Sequence, residues 1–302
     1  MKYSKPAKTF EEQADLLLER GLIADRDQLI RRLRVTSYFR LTTYLYRFRV
    51  AGSEKYHPGT TLERVWKLYN FDQRLRTLLL DAIEAIEVHT RTQLAYHFAH
   101  DCGAFAYKDP RHFPNLNSDR FSEWQWKLDE QVRRSRKSRE EFVTHFFAKY
   151  GDQHTDLPIW MLVELMDFGS TLTFFRAVKD DIKKRIAAEI GQPDVVGMSW
   201  LLALNTIRNR CAHHSRLWDW ELGTPVHLPQ QRKFPAWHAP ALPSNRVGII
   251  LTICHHWLRS VSPSNASEWT TRLRGLFDEY PDQPVLPMGL VAGWKEHPLW
   301  KT

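Results

Sequence analysis

The sequence predicts an all-α protein, and two observations support that prediction. Apolar residues return at three- and four-residue steps along much of the chain, whereas the alternating pattern of a β-strand is almost absent. Capping boxes, in which Ser, Thr or Asn precedes Glu by three residues, mark three expected helix starts: Thr9 with Glu12, Thr60 with Glu63, and Asn265 with Glu268. The hydrophobic fraction of 43% over 302 residues is ordinary for a folded chain and argues against wholesale disorder.

The longest periodic segment predicts a helix over residues 61–100. Its apolar residues fall mostly on one face: Leu62, Val65, Trp66, Tyr69, Leu75, Leu79, Ile83 and Ile86. Asp156 and Pro158 predict the start of another helix, which Gly169 is expected to interrupt. A further helix is predicted from Asp194 to Arg216.

Three stretches are expected to be irregular because glycine and proline are dense in them: 101–120, 221–245 and the tail after Tyr280. The predicted layout is a single unit over 1–302. It consists of an N-terminal helical extension (1–55), a helical body (56–280) that includes the 221–245 loop, and a tail (281–302). Trp294 and Trp300 predict that the Pro/Trp-rich tail packs on the body, because free tails are rarely so apolar.

Composition narrows the classes of function. The net charge is +8, which favours a polyanionic partner such as nucleic acid. Three scattered cysteines exclude a disulfide framework and fit a reducing, cytoplasmic compartment. The opening MKYSKPAKTF lacks the apolar stretch of a signal peptide, and no run approaches the ~20 apolar residues of a membrane span. No zinc-ligand spacing is present, so we predict neither a metal nor another cofactor.

The stretch of residues 208–218, RNRCAHHSRLW, is the most informative for chemistry. In a helix, Asn209 and His213 share a face, and the long Arg208 side chain can reach toward it. Histidine exchanges protons near neutral pH, arginine matches a phosphate, and an amide can fix the imidazole tautomer. These are the roles that metal-free RNA cleavage requires. The alternative is that the cations only cap a helix C-terminus, where the helix dipole favours them.

Several blocks make the sequence resemble abortive-infection (Abi) proteins of the AbiD/AbiF type, a branch of the HEPN superfamily. The blocks are QADLLLERGL, SYFRLTTYLYRFR at 37–49, LPIWMLVELMDFGS at 157–170, RNRCAHHSRLWD at 208–219, and PMG followed by WKEHPLW at 294–300. The resemblance implies a HEPN-like helical bundle as the body of the fold. The HEPN signature of Arg, a polar residue, three others and His corresponds to Arg208, Asn209 and His213, which makes them the catalytic candidates.

Three further candidates are weaker. His214 could assist or replace His213, although adjacent helix residues point about 100° apart. Glu164, within an apolar run, could pair with Arg208 or could lie on a polar surface. Arg91 and His97 could echo the signature inside the long helix, but a buried polar pair or a solvated face explains them better.

A basic run packs five cations into seven residues, close to Trp124 and Trp126. Its members are Arg133, Arg134, Arg136, Lys137 and Arg139. A solvated helix face and contact with an RNA backbone are both open explanations. In the 38–49 block, the aromatic side chains are expected in the core and the arginines at its rim.

The resemblance predicts a metal-independent endoribonuclease that acts as a toxin-like anti-phage effector. One motif copy per chain predicts a homodimer with a composite cleft. The alternative is a non-cleaving module that binds a cognate structured non-coding RNA.

Overall fold

The computed structural model describes residues 6–301. The first five residues of the predicted N-terminal extension, half of the MKYSKPAKTF segment, and Thr302 of the tail lie outside the described residues. Within the described range the chain is all α-helical, with 66% helix and no strand, which confirms the predicted fold class. None of the described helices is both long enough and apolar enough to cross a membrane.

Twelve α-helices follow one another in the described part of the chain. They are α1 (Phe10–Glu19), α2 (Arg26–Thr36), α3 (Tyr38–Leu45), α4 (Leu62–Cys102), α5 (Ser118–Ser138), α6 (Glu141–Tyr150), α7 (Ile159–Leu165), α8 (Phe168–Ala177), α9 (Asp180–Ala188), α10 (Asp194–Ala212), α11 (Val247–Val261) and α12 (Pro263–Glu279).

Helix α4 is the axis of the fold. Its 41 residues extend about 60 Å at 1.5 Å per residue, and it packs against α3 and against every helix from α7 to α12. The apolar face that predicted it is buried, with Val65, Leu75 and Leu79 fully covered. The apolar spacing therefore identified the central element of the core.

The predicted helix starts are correct at one position and wrong at two. Thr9 and Glu12 form a full capping box at α1. Thr60 does not cap α4, because its hydroxyl donates to the His57 carbonyl oxygen at 2.7 Å; the Thr61 side chain caps the helix instead by accepting from the Arg64 N–H. The Asn265–Glu268 pair lies inside α12, which begins two residues earlier at Pro263.

Two other predicted boundaries also shift. Pro158 precedes the first residue of α7, and Asp156 pairs with Lys108 rather than capping the helix. The interruption expected at Gly169 falls at Met166 and Asp167, where α7 ends and Asp167 caps α8. In the stretch expected to be irregular, 101–120, α4 extends to Cys102 and α5 begins at Ser118.

The C-terminal tail folds back onto the helices. Trp294 is 4% exposed and Trp300 is fully buried, with the Trp300 ring stacked on His255 at a centroid distance of 4.7 Å. The 221–245 stretch is irregular apart from one 3₁₀ turn, Pro235–Trp237. Trp237 within this stretch is 2% exposed. Buried tryptophans therefore anchor both segments to the helices.

Candidate functional site

The candidate site is built where α10 ends. Ile207 and Cys211 face the core, so Arg208 and Arg210 flank the buried side while Asn209 faces solvent. The helix ends at Ala212, four residues before the predicted end at Arg216. His213 is the C-cap residue, and its N–H donates to the Asn209 carbonyl oxygen at 3.0 Å.

His214 turns the chain sharply away from the helix. Its φ of +55° lies in the left-handed region, which non-glycine residues seldom occupy. The Ser215 N–H then donates to the Arg210 carbonyl oxygen at 2.9 Å and closes the turn. The expectation that His213 and His214 point about 100° apart therefore fails, because neither lies within the helix.

Both histidines line a cleft of about 480 Å³ between this turn and α3. Three arginines, Arg40, Arg210 and Arg216, line the same cleft. Within the described chain no carboxylate lines it, although Arg216 also pairs with Asp219 at 3.0 Å. The other lining residues are Ser37, Phe39, Thr43, Tyr44, Ser215 and Trp220. A concave surface lined by several positive charges attracts anions such as phosphate.

The three arginines are held in place by backbone oxygens. Arg40 donates to the His214 carbonyl oxygen, Arg210 to that of Arg216 at 2.7 Å, and Arg216 to that of Thr43. The Arg210 guanidinium also lies 4.3 Å from the centre of the Trp220 ring. Burial, together with the nearby Arg216 charge, lowers the pKa of Arg210. The cations are thus fixed before any ligand arrives.

A buried carboxylate, Asp72 of α4, anchors the segment that follows the histidines. Its oxygens accept hydrogen bonds from the N–H groups of Leu217 (3.1 Å) and Trp218 (2.7 Å). The Tyr44 hydroxyl donates to it at 2.6 Å, and Arg76 forms an ion pair with it. Burial raises the pKa of Asp72, against the opposing effect of these donors.

Asp72 and Arg76 were not among the predicted site residues, although the sequence holds a signal for them. Both lie on the buried face of α4, and their i,i+4 spacing allows an ion pair. Charged residues in the middle of an apolar helix face are seldom buried unless they are paired. That pattern could have predicted a buried polar anchor, but not its partner segment.

Arg208 and Asn209 do not line the cleft that contains His213. Arg208 is half-buried on the flank of α10 opposite Arg210, close to Glu87 of α4. Burial raises the pKa of Glu87, and the charges of Arg91 and Arg208 oppose that effect. Asn209 is exposed. Of the predicted site residues, therefore, only His213 and His214 line the cleft within one chain.

Of the two open explanations of Glu164, a pair with Arg208 or a position on a polar surface, the structure supports the second. Among the ion pairs of the described residues, none joins these two side chains. Glu164 is exposed and lies beside Tyr96 and Trp160 in a separate groove. It therefore has no contact that would support the site.

Arg91 and His97 form no second half-site in this structure. Arg91 is paired with Glu87 and also donates to the Met166 carbonyl oxygen. The His97 ring contacts Tyr96 edge to face at 5.2 Å. The buried polar pair expected as the simpler explanation accounts for Arg91.

The basic run lies at the C-terminal end of α5, and all five of its side chains are exposed. Arg133 and Arg134 pair with Glu130, whose pKa their hydrogen bonds lower to about 2. Arg136 lies 4.2 Å from the Phe147 ring centre. Helix α5 packs mainly on α6, α7 and α8, so the run is separate from the cleft.

Among residues 6–301, no group of three or more His, Cys, Asp or Glu side chains is placed to bind a metal ion.

The fold and the site define an all-α protein with a histidine–arginine cleft at the end of a core helix. The chain belongs to the Abi-like protein family, whose model matches residues 31–219, more than half of its length. This membership supports a role in abortive infection. The matched range includes α3, the Asp72 anchor and both histidines. No curated protein and no solved structure matches the chain.

Proposed function

We propose that this protein is a HEPN-type endoribonuclease that acts in the cytoplasm as an abortive-infection effector. The observation that carries the proposal is the cleft in which two histidines meet three fixed arginines. His213 would remove the proton of a ribose 2′-OH, which then attacks the adjacent phosphorus. The P–O5′ bond breaks as the proton held by His213 passes to the leaving 5′-oxygen, and the products are a 2′,3′-cyclic phosphate and a 5′-OH end.

The positive charge in the cleft suits the step that is hardest to catalyse. Attack of the 2′-oxygen builds negative charge on the phosphate oxygens, and preorganised guanidinium groups stabilise such charge. The presence of Arg40, Arg210 and Arg216 in the cleft supports this role for them, whereas the roles of Arg208 and Asn209 rest on the sequence resemblance. No step requires a metal ion.

The test is cleavage of RNA by the purified protein in excess EDTA, followed by analysis of the product ends. His213→Ala should lower the rate by about 10²-fold or more, whereas His145→Ala, which removes an exposed histidine of α6, should not change it. Activity that EDTA abolishes and a divalent ion restores would overturn the mechanism. So would full activity of His213→Ala.

Assembly is part of the same proposal. If two chains complete one site, as the single signature copy implies, a mixture of inactive Arg208→Ala and inactive His213→Ala chains should regain part of the activity. The position of Arg208 outside its own chain's cleft fits such sharing. A fully active monomer by light scattering would refute it.

The same position of Arg208 also favours a second function, a non-cleaving module that binds a cognate structured RNA. In that case the cleft binds phosphates and His213 performs no chemistry. Tight RNA binding without any cleavage, unaffected by His213→Ala, would select this alternative.

A further inference from the structure

Two aromatic side chains of the α3 region are exposed although their neighbours are buried. Phe39 is 79% exposed and Tyr46 is 66% exposed, whereas Tyr44 is 1% and Phe48 is 9% exposed. The prediction that the aromatics of this block belong to the core is therefore wrong for these two. Large aromatic side chains left in water beside a charged cleft suggest an interaction surface.

Phe39, Thr43 and Tyr46 follow one another at steps of four and three residues, so they lie along one face of the helix. We call this face the α3 stripe. Phe39 and Thr43 line the cleft beside His213, and Tyr46 continues the helical conformation as the C-cap of α3. Two helical turns separate the two rings by about 10 Å along the axis, which is about three steps of a stacked nucleic-acid strand.

Cations accompany the stripe along its length. Arg40, Arg210 and Arg216 line the cleft next to Phe39, and the Arg49 guanidinium lies 5.6 Å from the centre of the Tyr46 ring. Exposed aromatic rings beside a positively charged groove are the combination that binds single-stranded nucleic acid, in which bases stack on rings and phosphates contact cations. A duplex buries its base faces, so it cannot use these rings.

We propose that the α3 stripe is a base-stacking platform for single-stranded RNA, which places a neighbouring phosphate in the cleft. As a statement about substrate, the inference rests on the proposed function, because His213 would act on that phosphate. The binding itself requires no cleavage.

The test measures binding by the full chain carrying His213→Ala, so that the RNA stays intact. The probe is a dye-labelled RNA of twelve nucleotides, either single-stranded or paired with its complement, followed by fluorescence anisotropy. Phe39→Ala and Tyr46→Ala should each weaken binding of the single strand by roughly five- to a hundredfold. Phe39→Tyr keeps a ring and should bind as the parent does.

A matched control is Tyr96→Ala, which removes an aromatic side chain that is 57% exposed on α4. Tyr96 lies about 30 Å along this helix from Arg76, the partner of the Asp72 anchor behind the cleft. It should leave the affinity unchanged. Thermal unfolding of each variant checks that the fold is intact, which the exposure of both rings leads us to expect.

Four outcomes would overturn the inference: unchanged affinity in Phe39→Ala, equal losses for single strand and duplex, tighter binding of the duplex, or no RNA binding at all. The inference and the proposed function fail separately. A protein that binds single strands through Phe39 but never cleaves them refutes only the nuclease. Cleavage that is indifferent to Phe39 refutes only the platform.

Discussion

Replacing Asp72 with alanine is expected to lower the free energy of unfolding by about 3–5 kcal/mol. The Asp72 side chain is fully buried and that of Arg76 is 5% exposed, so the substitution leaves a guanidinium inside the protein without its counter-charge. It also removes the acceptor for the N–H groups of Leu217 and Trp218. Removing one partner of a buried pair is costly because the remaining charge cannot be solvated.

The size of this loss of unfolding free energy follows from the number of groups that donate hydrogen bonds to Asp72. Each hydrogen bond to a charged group contributes about 1.5–3 kcal/mol, but contributions within one network do not simply add. Asp72→Asn retains an oxygen for the two N–H groups but loses the charge and the oxygen that accepts from Tyr44 and Arg76, so we expect a loss of about 2 kcal/mol or more, below that of Asp72→Ala. The double replacement of Asp72 by Leu and Arg76 by Met should lower the free energy of unfolding less than Asp72→Ala does, since no unpaired charge remains.

Urea unfolding followed by circular dichroism measures these differences. The control is Lys67→Ala, which breaks another i,i+4 ion pair on the same helix, Glu63–Lys67, whose side chains are 77% and 56% exposed. That loss should stay below about 1 kcal/mol because water already solvates both charges. If Asp72→Ala lowers the free energy of unfolding no more than Lys67→Ala does, the buried network does not anchor the turn, which would refute this prediction.

Two further predictions concern pH and RNA capture. Burial, with Arg259, His256 and Arg274 nearby, lowers the pKa of His255 to about 4. The unfolded chain therefore binds more protons than the folded chain between pH 4 and 6.5. The free energy of unfolding should fall by about 2 kcal/mol from about pH 7.5 to about pH 5. Urea unfolding at both pH values should show a smaller fall for His255→Phe than for the parent protein. Replacing the whole basic run of α5 with Gln should weaken RNA binding and flatten its salt dependence if the run contacts phosphates, and an unchanged slope would show a merely solvated face.

Local sequence patterns predicted the helices well and their ends poorly. The apolar spacing of α4 repeats over 41 residues, so packing and periodicity agree throughout. A helix end depends on single contacts instead. Thr60 and Thr61 are equally good caps by residue type, but the Thr60 hydroxyl donates to the His57 carbonyl oxygen and the Thr61 hydroxyl accepts from the Arg64 N–H. The backbone on both sides of Thr61 also bonds to Ile23, in the segment between α1 and α2. Such a contact from a distant segment is invisible to a local pattern.

The end of α10 illustrates the same point at the site itself. The sequence predicted helix through Arg216 because Trp200, Leu201, Leu204 and Ile207 fall at helical spacing and no proline follows them before Arg216. Arg40, 174 residues away, bonds the His214 carbonyl oxygen, and Asp72, about 145 residues away, binds the N–H groups of Leu217 and Trp218. These distant contacts support a left-handed histidine that residue type alone would not predict.

The early end of α10 also explains why the sequence predicted the histidines of the site but not the cations that lie around them. Along a continuous helix, Asn209 and Arg210 would both neighbour His213, at four and three residues' separation, and all three would belong to α10 alone. Because the chain leaves the helix at His213, the turn faces α3, and the cleft gains Arg40 from that helix and Arg216 from beyond the turn. The sequence block supplied the histidines, but α3 and the buried carboxylate of α4 determine which cations face them.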